Sequence, residues 1–283
     1  EAEDMLNRIR ELAVQASSDA ITSATRTSVA SEAAGLESEL ESISRLTEFN
    51  THRLLDGRFN GRQVQIGASR AEILTISLSS SSPTNLGSYA SIGPTRAALD
   101  AAQSPADNST TNAEDIVLTS LGTATTINIA AQDSAKTAAT KINALSYATS
   151  VAADAETYAH LFSTSASAAN YTISLNGNNT SAFSISSSDV TDAVSKINLI
   201  SATTGVHATA TSGNKVLLTD ADGDDITIEN AASGSDLDVQ AVQRDRVTSQ
   251  GSAVSLAAGG STNNDATRVI GTLRMFSANP FTI

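Results

Sequence analysis

The run 7–17, NRIRELAVQAS, constrains the fold of this chain more than any other segment. Apolar residues stand at Met5, Ile9, Leu12 and Ala16, and that 4-3-4 spacing lines one seam of an α-helix. Arg8, Arg10, Glu11 and Gln15 lie off the seam and face water or a partner. The periodicity is already under way at Glu1, with no Met and no Ser, Thr, Asp or Asn cap ahead of it, so the segment reads as a piece of a longer helix. A second seam follows the Ser/Thr-rich turn of 17–28: Val29, Ala33, Leu36, Leu40 and Ile43 repeat at 4-3-4-3, a heptad pattern. Gly35 inside it costs roughly 1 kcal/mol against Ala, tolerable where backbones pack closely. Two seams joined by a turn make a thin core. A third or fourth helix is expected, and no other part of the sequence supplies it.

The chain has 283 residues, enough for two domains with separate cores. Its net charge of −13 disfavours a nucleic-acid partner, because phosphate binding needs clustered Lys and Arg. No basic run offers attraction to anionic lipid. Aromatic residues are 4% and Trp is absent, so the cores must be built from small aliphatic side chains. Cys is absent too, which removes disulfides and thiolate chemistry together. No apolar run approaches a membrane span and no signal peptide opens the sequence.

After the helices, the alternation of 63–66 and 74–78 predicts a hairpin, with Val64 and Ile66 on one face beside Leu74, Ile76 and Leu78. Its turn falls on 67–70. A linker then runs from Ser79 through Gly87, Gly93 and Pro94. Beyond it one unit recurs. Lys141-Ile142-Asn143 with Ser146, Thr149 and Val151 is matched 55 residues later by Lys196-Ile197-Asn198 with Ser201, Thr204 and Val206, which argues for an internal duplication. In each copy an apolar strand (Ile127 and Ile129; Phe183 and Ile185) precedes a short helix, and a further strand follows. Asn176-Gly177-Asn178-Asn179 marks a hairpin between 171–175 and 182–185, and 220–224 is read as the turn of another between 216–218 and 226–228. The tail alternates at Val269, Gly271, Leu273 and Met275.

The helix NRIRELAVQAS, the second helix ending in Thr47-Glu48-Phe49-Asn50, and the hairpin VQIGASRAEILTISL together resemble the amino-terminal core domain of bacterial flagellin, over roughly the first 80 residues and in the family's order. The duplicated KIN unit resembles an insertion motif of the outer domains of flagellins and hook-associated proteins, and GTLRMFSANPFTI is similar to the strand preceding the family's carboxy-terminal core helix. The resemblance implies an α+β chain, in which a rod-like helical core domain (1–97 plus 268–283, long helices and a β-hairpin) carries a β-rich outer domain (98–267). That outer domain is expected to hold two related β/α subdomains, at about 110–168 and 170–235. It implies a secreted, extracellular structural subunit of the flagellar filament, assembling through its core helices for motility, without enzymatic activity or cofactor. Implied partners are other flagellin subunits, an export chaperone and hook-associated proteins, with no nucleic acid and no membrane insertion. The alternatives from other classes are a cell-surface adhesin or polysaccharide binder, meeting surface glycans through exposed rings, and a hook-associated protein.

Flagellins of this type are recognised in animals by Toll-like receptor 5, and the family's Arg, Leu and Glu at that face fall on Arg8, Leu12 and Glu32. Asn7 stands where Gln is common and Leu36 where Arg is common. The plainer reading makes Arg8 and Glu32 solvated or intersubunit charges and Leu12 part of the seam with Ile9, Val29, Leu36, Leu40 and Ile43. Asp220, Asp222 and Asp224 resemble the start of a calcium loop, but Glu229 comes too early for the bidentate end, and an acidic turn explains the same residues. His52, His160 and His207 are scattered, and no nucleophile elbow or phosphate-cradling glycine loop is present. Asn108, Asn170 and Asn178 open N-glycosylation patterns of a kind common by chance.

Overall fold

The computed structural model describes residues 2–17, 21–59, 61–66, 72–78, 80–108, 110, 115–233, 235–258 and 264–283. The chain is α+β and divides into two compact units, Glu1–Ser88 and Tyr89–Ile283.

In the first unit, α1 (Ala2–Ser17) packs against α2 (Ser23–Leu46). Glu3 and Asp4 sit in the first turn of α1, where negative charge suits the helix dipole. The second helix begins inside the segment read from sequence as a turn. Its cap is Thr22, whose hydroxyl accepts from Thr25 N–H at 3.2 Å. A hydroxyl of that segment bonds backward along the helix instead, Ser28 to Ala24 O at 3.2 Å. A short ribbon, β1 (Glu48–Phe49) with β2 (His52–Arg53), and the hairpin β3 (Arg62–Gln65) with β4 (Ile73–Ile76) follow. Val64 pairs with Leu74, so the expected shared face forms; the turn at 67–70 lies outside the described residues. A single turn, α3 (Pro83–Leu86), ends the unit.

The second unit opens with β5 (Tyr89–Ile92), the hairpin β6 (Ile116–Ser120) and β7 (Thr123–Ile127), then α4 (Ala135–Ala144) and α5 (Ser146–Thr149). Next come β8 (Ala152–Phe162), β9 (Ala169–Leu175), β10 (Asn178–Asn179) and β11 (Phe183–Ile185), then α6 (Thr191–Asn198) and α7 (Ser201–Thr204). The remaining strands are β12 (Val206–Ala210), β13 (Val216–Asp220), β14 (Ile226–Ser233), β15 (Leu237–Val242), β16 (Ser249–Leu256), β17 (Ala266–Val269), β18 (Thr272–Ser277) and β19 (Phe281–Thr282).

These strands form a seven-stranded sheet, ordered β12-β13-β8-β15-β16 with β18 and β5 attached through β8. A five-stranded sheet, β10-β9-β14-β17 with β11 on β9, supplies the other wall of the larger core, where Leu161, Leu218 and Val239 meet Tyr171, Ile173 and Ile228. The α6 residues Ala193 and Ile197 join that core. A smaller core sets Ile142 of α4 with Leu118, Ile127, Val151, Ala153 and Met275.

The sequence expectation is modified in two places. The segment read as linker contains β5, because β18 offers it a partner: Tyr89 pairs with Ser277 and Ile92 with Arg274. The 216–228 segment is not a hairpin, since β13 pairs with β12 and β8 whereas β14 pairs with β9 and β17. The tail strand β18 is hydrogen-bonded along 152–156 of β8. The NGNN hairpin does form, with Asn176 and Gly177 at φ 47° and 77°, the left-handed pair that a two-residue turn requires.

The duplicated motif folds the same way twice. Asn143 donates to Ala153 O and accepts from Ala153 N–H, both at 2.8 Å; Asn198 does the same to Ala208, at 2.9 and 2.8 Å. Ser146 and Ser201 donate to the carbonyls of those asparagines, and Thr149 and Thr204 accept from Val151 and Val206 N–H. The motif isoleucines, Ile142 and Ile197, are fully buried. Replacing Ile197 by Ala should lower the unfolding free energy of the second unit by about 2–5 kcal/mol, measured by urea denaturation. Replacing its exposed neighbour Leu199 by Ala should change it by less than about 0.5 kcal/mol.

Candidate functional site

The helical pair is closed on one side only. Met5, Leu12, Val29 and Leu40 are buried, while Ile9, Leu36 and Ile43 are half-buried. Leu6, Val14 and Leu46 are exposed at 41%, 66% and 71%. Leu6, Ile9, Ala30, Ala33 and Ala34, with Pro83 and Leu86, line an apolar groove of about 430 Å³. The hairpin adds Val64, Ile66, Ile73 and Leu74, all exposed. A surface this apolar on so small a unit is the kind that marks an interaction site.

Of the residues singled out from sequence, two come together. The Arg8 guanidinium donates to Glu32 Oε1 through Nε at 3.0 Å and Nη2 at 2.7 Å, and to Glu11 at 3.2 Å. Glu32 and then Glu11 raise the Arg8 pKa further. The pair is solvent-exposed, so its direct contribution to stability is small; what it fixes is a charged patch across α1 and α2. Leu12 is 1% exposed. It packs inside the helix pair and offers no side-chain surface beside Arg8 and Glu32.

The acidic loop is spent on internal bonds. Asp220 Oδ1 accepts from the N–H groups of Asp222, Gly223 and Asp224 at 3.0, 3.0 and 3.3 Å, and burial foremost raises its pKa. Asp222 and Asp224 both pair with Lys136 Nζ, at 3.2 and 2.6 Å. Asp225 holds Arg268 at 3.0 Å and accepts from Asn108 at 2.8 Å. Gly223, at φ +80°, would place a Cβ 2.3 Å from Ala155 Cβ, so the loop's closeness to β8 demands glycine. The three aspartates therefore do not converge as a ligand set, and among the described residues no group of His, Cys, Asp or Glu is placed to hold a metal ion. Asn108 is itself buried, out of reach of a glycan. His52 and His207 are exposed.

His160 lies near the C-terminal end of β8, 6% exposed, with no hydrogen-bond partner at either ring nitrogen. Burial, and secondarily the charge of Lys215, lowers its pKa to about 4. Among the described residues no helix is long and apolar enough to cross a membrane.

With this geometry in place, comparison with known proteins places the helical pair. Residues 1–60 match the family model of the bacterial flagellin N-terminal helical region. B-type flagellin of Pseudomonas aeruginosa is 36% identical over 85 residues, covering 30% of this chain and 17% of that protein. Flagellin B of Vibrio cholerae is 35% identical over 80 residues, covering 28% and 21%. The flagellin of Halalkalibacterium halodurans is 36% identical over 78 residues, covering 28% and 29%. The matched stretch thus spans about a fifth to less than a third of the length of these relatives. A solved structure titled FliC from Burkholderia pseudomallei overlaps 50% of this chain and 58% of its own at 27% identity, with a TM-score of 0.31; at that score it carries no argument here. The resemblance to bacterial flagellin rests on the first unit.

The buried imidazole makes acid stability testable. Its folded-state pKa lies below the ordinary 6.5, so the unfolded chain binds the proton more readily. The stability held by the neutral ring is complete above pH 6.5 and is lost as pH falls from 6.5 towards 4. The loss is on the order of 3 kcal/mol at most. Urea midpoints for the parent should drop through this window more steeply than those of His160→Leu; equal slopes would remove His160 as the cause.

Proposed function

We propose that this chain belongs to a bacterial flagellin, the structural subunit of the flagellar filament, and that the first unit is the part through which subunits assemble. The observation carrying this is the unclosed apolar side of α1 and α2 within the stretch that matches the flagellin helical region. Apolar residues at heptad spacing gain free energy only when a neighbouring helix takes them out of water. The second unit reads as a surface-exposed outer domain, and the division into a core domain (1–97 plus 268–283) and an outer domain (98–267) with two repeat units stands as part of the proposal. On this reading the protein is exported to the flagellum, structural rather than catalytic, and passes through contacts with an export chaperone and hook-associated proteins.

Recognition by Toll-like receptor 5 is proposed to use the Arg8–Glu32 patch, whose two charges lie in contact on the exposed side of both helices. Leu12 would support that patch from inside. The glycan-binding alternative is the less favoured: Tyr158, Tyr171 and Phe183 are buried in cores and cannot stack on a sugar face, and the exposed rings of the second unit, Tyr89 and Tyr147, stand singly on different elements.

The complete gene product should polymerise into filaments visible by negative-stain electron microscopy. Leu6→Glu with Val14→Glu, both at exposed positions, should reduce filament yield at least about tenfold, since a charge in an apolar contact costs several kcal/mol. Failure of the unaltered protein to polymerise counts against the filament reading. In receptor reporter cells, Arg8→Ala and Glu32→Ala should each weaken signalling by about tenfold, the size of one lost charge-assisted contact; unchanged signalling would sink the patch assignment alone.

A further inference from the structure

The two copies of the KIN motif spend the same side chains on the same task, and the task is visible at a sheet edge. Strand β12 has a hydrogen-bonded neighbour on one side only, β13. Across its other side lies the end of α6 and α7. There Asn198 takes both the N–H and the C=O of Ala208, and Thr204 Oγ1 accepts from Val206 N–H at 3.3 Å. In the first copy, 152–156 of β8 pair on one side with β18. Asn143 takes both polar groups of Ala153 there, and Thr149 Oγ1 accepts from Val151 N–H at 3.2 Å.

Asn143 and Asn198 are themselves exposed, but the residues they bond are buried, Ala153 and Ala208 being 6% and 3% exposed. Backbone groups so placed need a partner, and in each copy the side-chain amide supplies it where no strand does. The amide thereby also decides availability: an unpaired strand edge is a template for a strand from another molecule, and a side-chain amide bonded to both groups of one residue occupies the position that strand would take.

We propose that Asn198, with Thr204, plugs the outer edge of the seven-stranded sheet and keeps it from pairing with the same edge of a second copy of this chain. Asn143 and Thr149 do so for the stretch of β8 that lacks a second strand neighbour. The partner excluded is another copy, because identical edges can pair antiparallel about a two-fold axis, and β12, VHATA, carries no Lys, Arg, Asp or Glu to discourage that pairing. This inference does not rest on the filament reading; it concerns the second unit and would hold in any protein carrying it.

The test is sedimentation velocity on the 283-residue chain, comparing the parent with Asn198→Ala over a wide concentration range. The variant should keep the parent's circular dichroism and show an additional association, raising its weight-average mass by about twofold or more at the upper concentrations. Ala208→Pro in the Asn198→Ala background removes the N–H that Asn198 held and should return the chain to the parent's mass distribution, because proline on an edge blocks pairing. Thr204→Val should show a weaker form of the same association. The proposal is overturned if Asn198→Ala sediments like the parent, if the proline variant associates as much as the single variant, or if Asn198→Ala fails to fold, which would make the asparagine a determinant of the fold rather than of its edge.

Discussion

The second unit depends on one strand belonging to two cores. Along β8 the residues Ala153 and Ala155 face the smaller core, and Ala159 and Leu161 the larger. Thr157, between them and 1% exposed, donates to Asp224 O at 2.6 Å. This is where the acidic loop crosses, and its chemistry follows from the crossing. Gly223 lies too close to Ala155 for any side chain, and its carbonyl accepts from Lys136 N–H at 3.0 Å, at the start of α4. Asp222 and Asp224 hold the Lys136 ammonium, while Asp225 holds Arg268 in β17. Carboxylates that looked from sequence like cation ligands are thus countercharges joining the first repeat's helix to the second repeat's sheets. The loop thus braces the midpoint of the strand that the two cores share.

How much of this was legible depended on how far each interaction reaches along the chain. The heptad seams of α1 and α2 were readable because helix periodicity is local, and so was the NGNN turn, whose left-handed residues are named by type. The duplication was readable as spacing. The task of Asn143 and Asn198 was not, because each bonds a residue ten positions on, and no propensity records that. A polar residue repeated at fixed distance beside a buried isoleucine was the available signal. The false hairpin at 216–228 had every local mark of one. Those strands part company because β8 and β9, from elsewhere in the chain, compete for their edges. Strand β5 was missed for the converse reason: its weak pattern becomes a strand only beside β18.

The two units differ in what they leave open, and that difference carries the functional argument. In the second, Leu161, Ile173, Ile228 and Val239 are fully buried, the free edge at β12 is occupied by the chain's own asparagine and threonine, and Arg244 and Arg274 are paired with Asp154. Its exposed apolar side chains, among them Val117, Tyr147, Leu199 and Val247, stand on separate segments, as single exposed apolar residues commonly do. In the first, Leu6, Val14, Ile66 and Leu74 face water, each forgoing about 1–2 kcal/mol that burial would return. A chain selected only to be a stable monomer would hold polar residues at those positions. Where one unit has its free edge occupied while the other keeps an apolar groove between its helices uncovered, the filament proposal places association at the groove. On the filament proposal, that is what a stacking subunit requires.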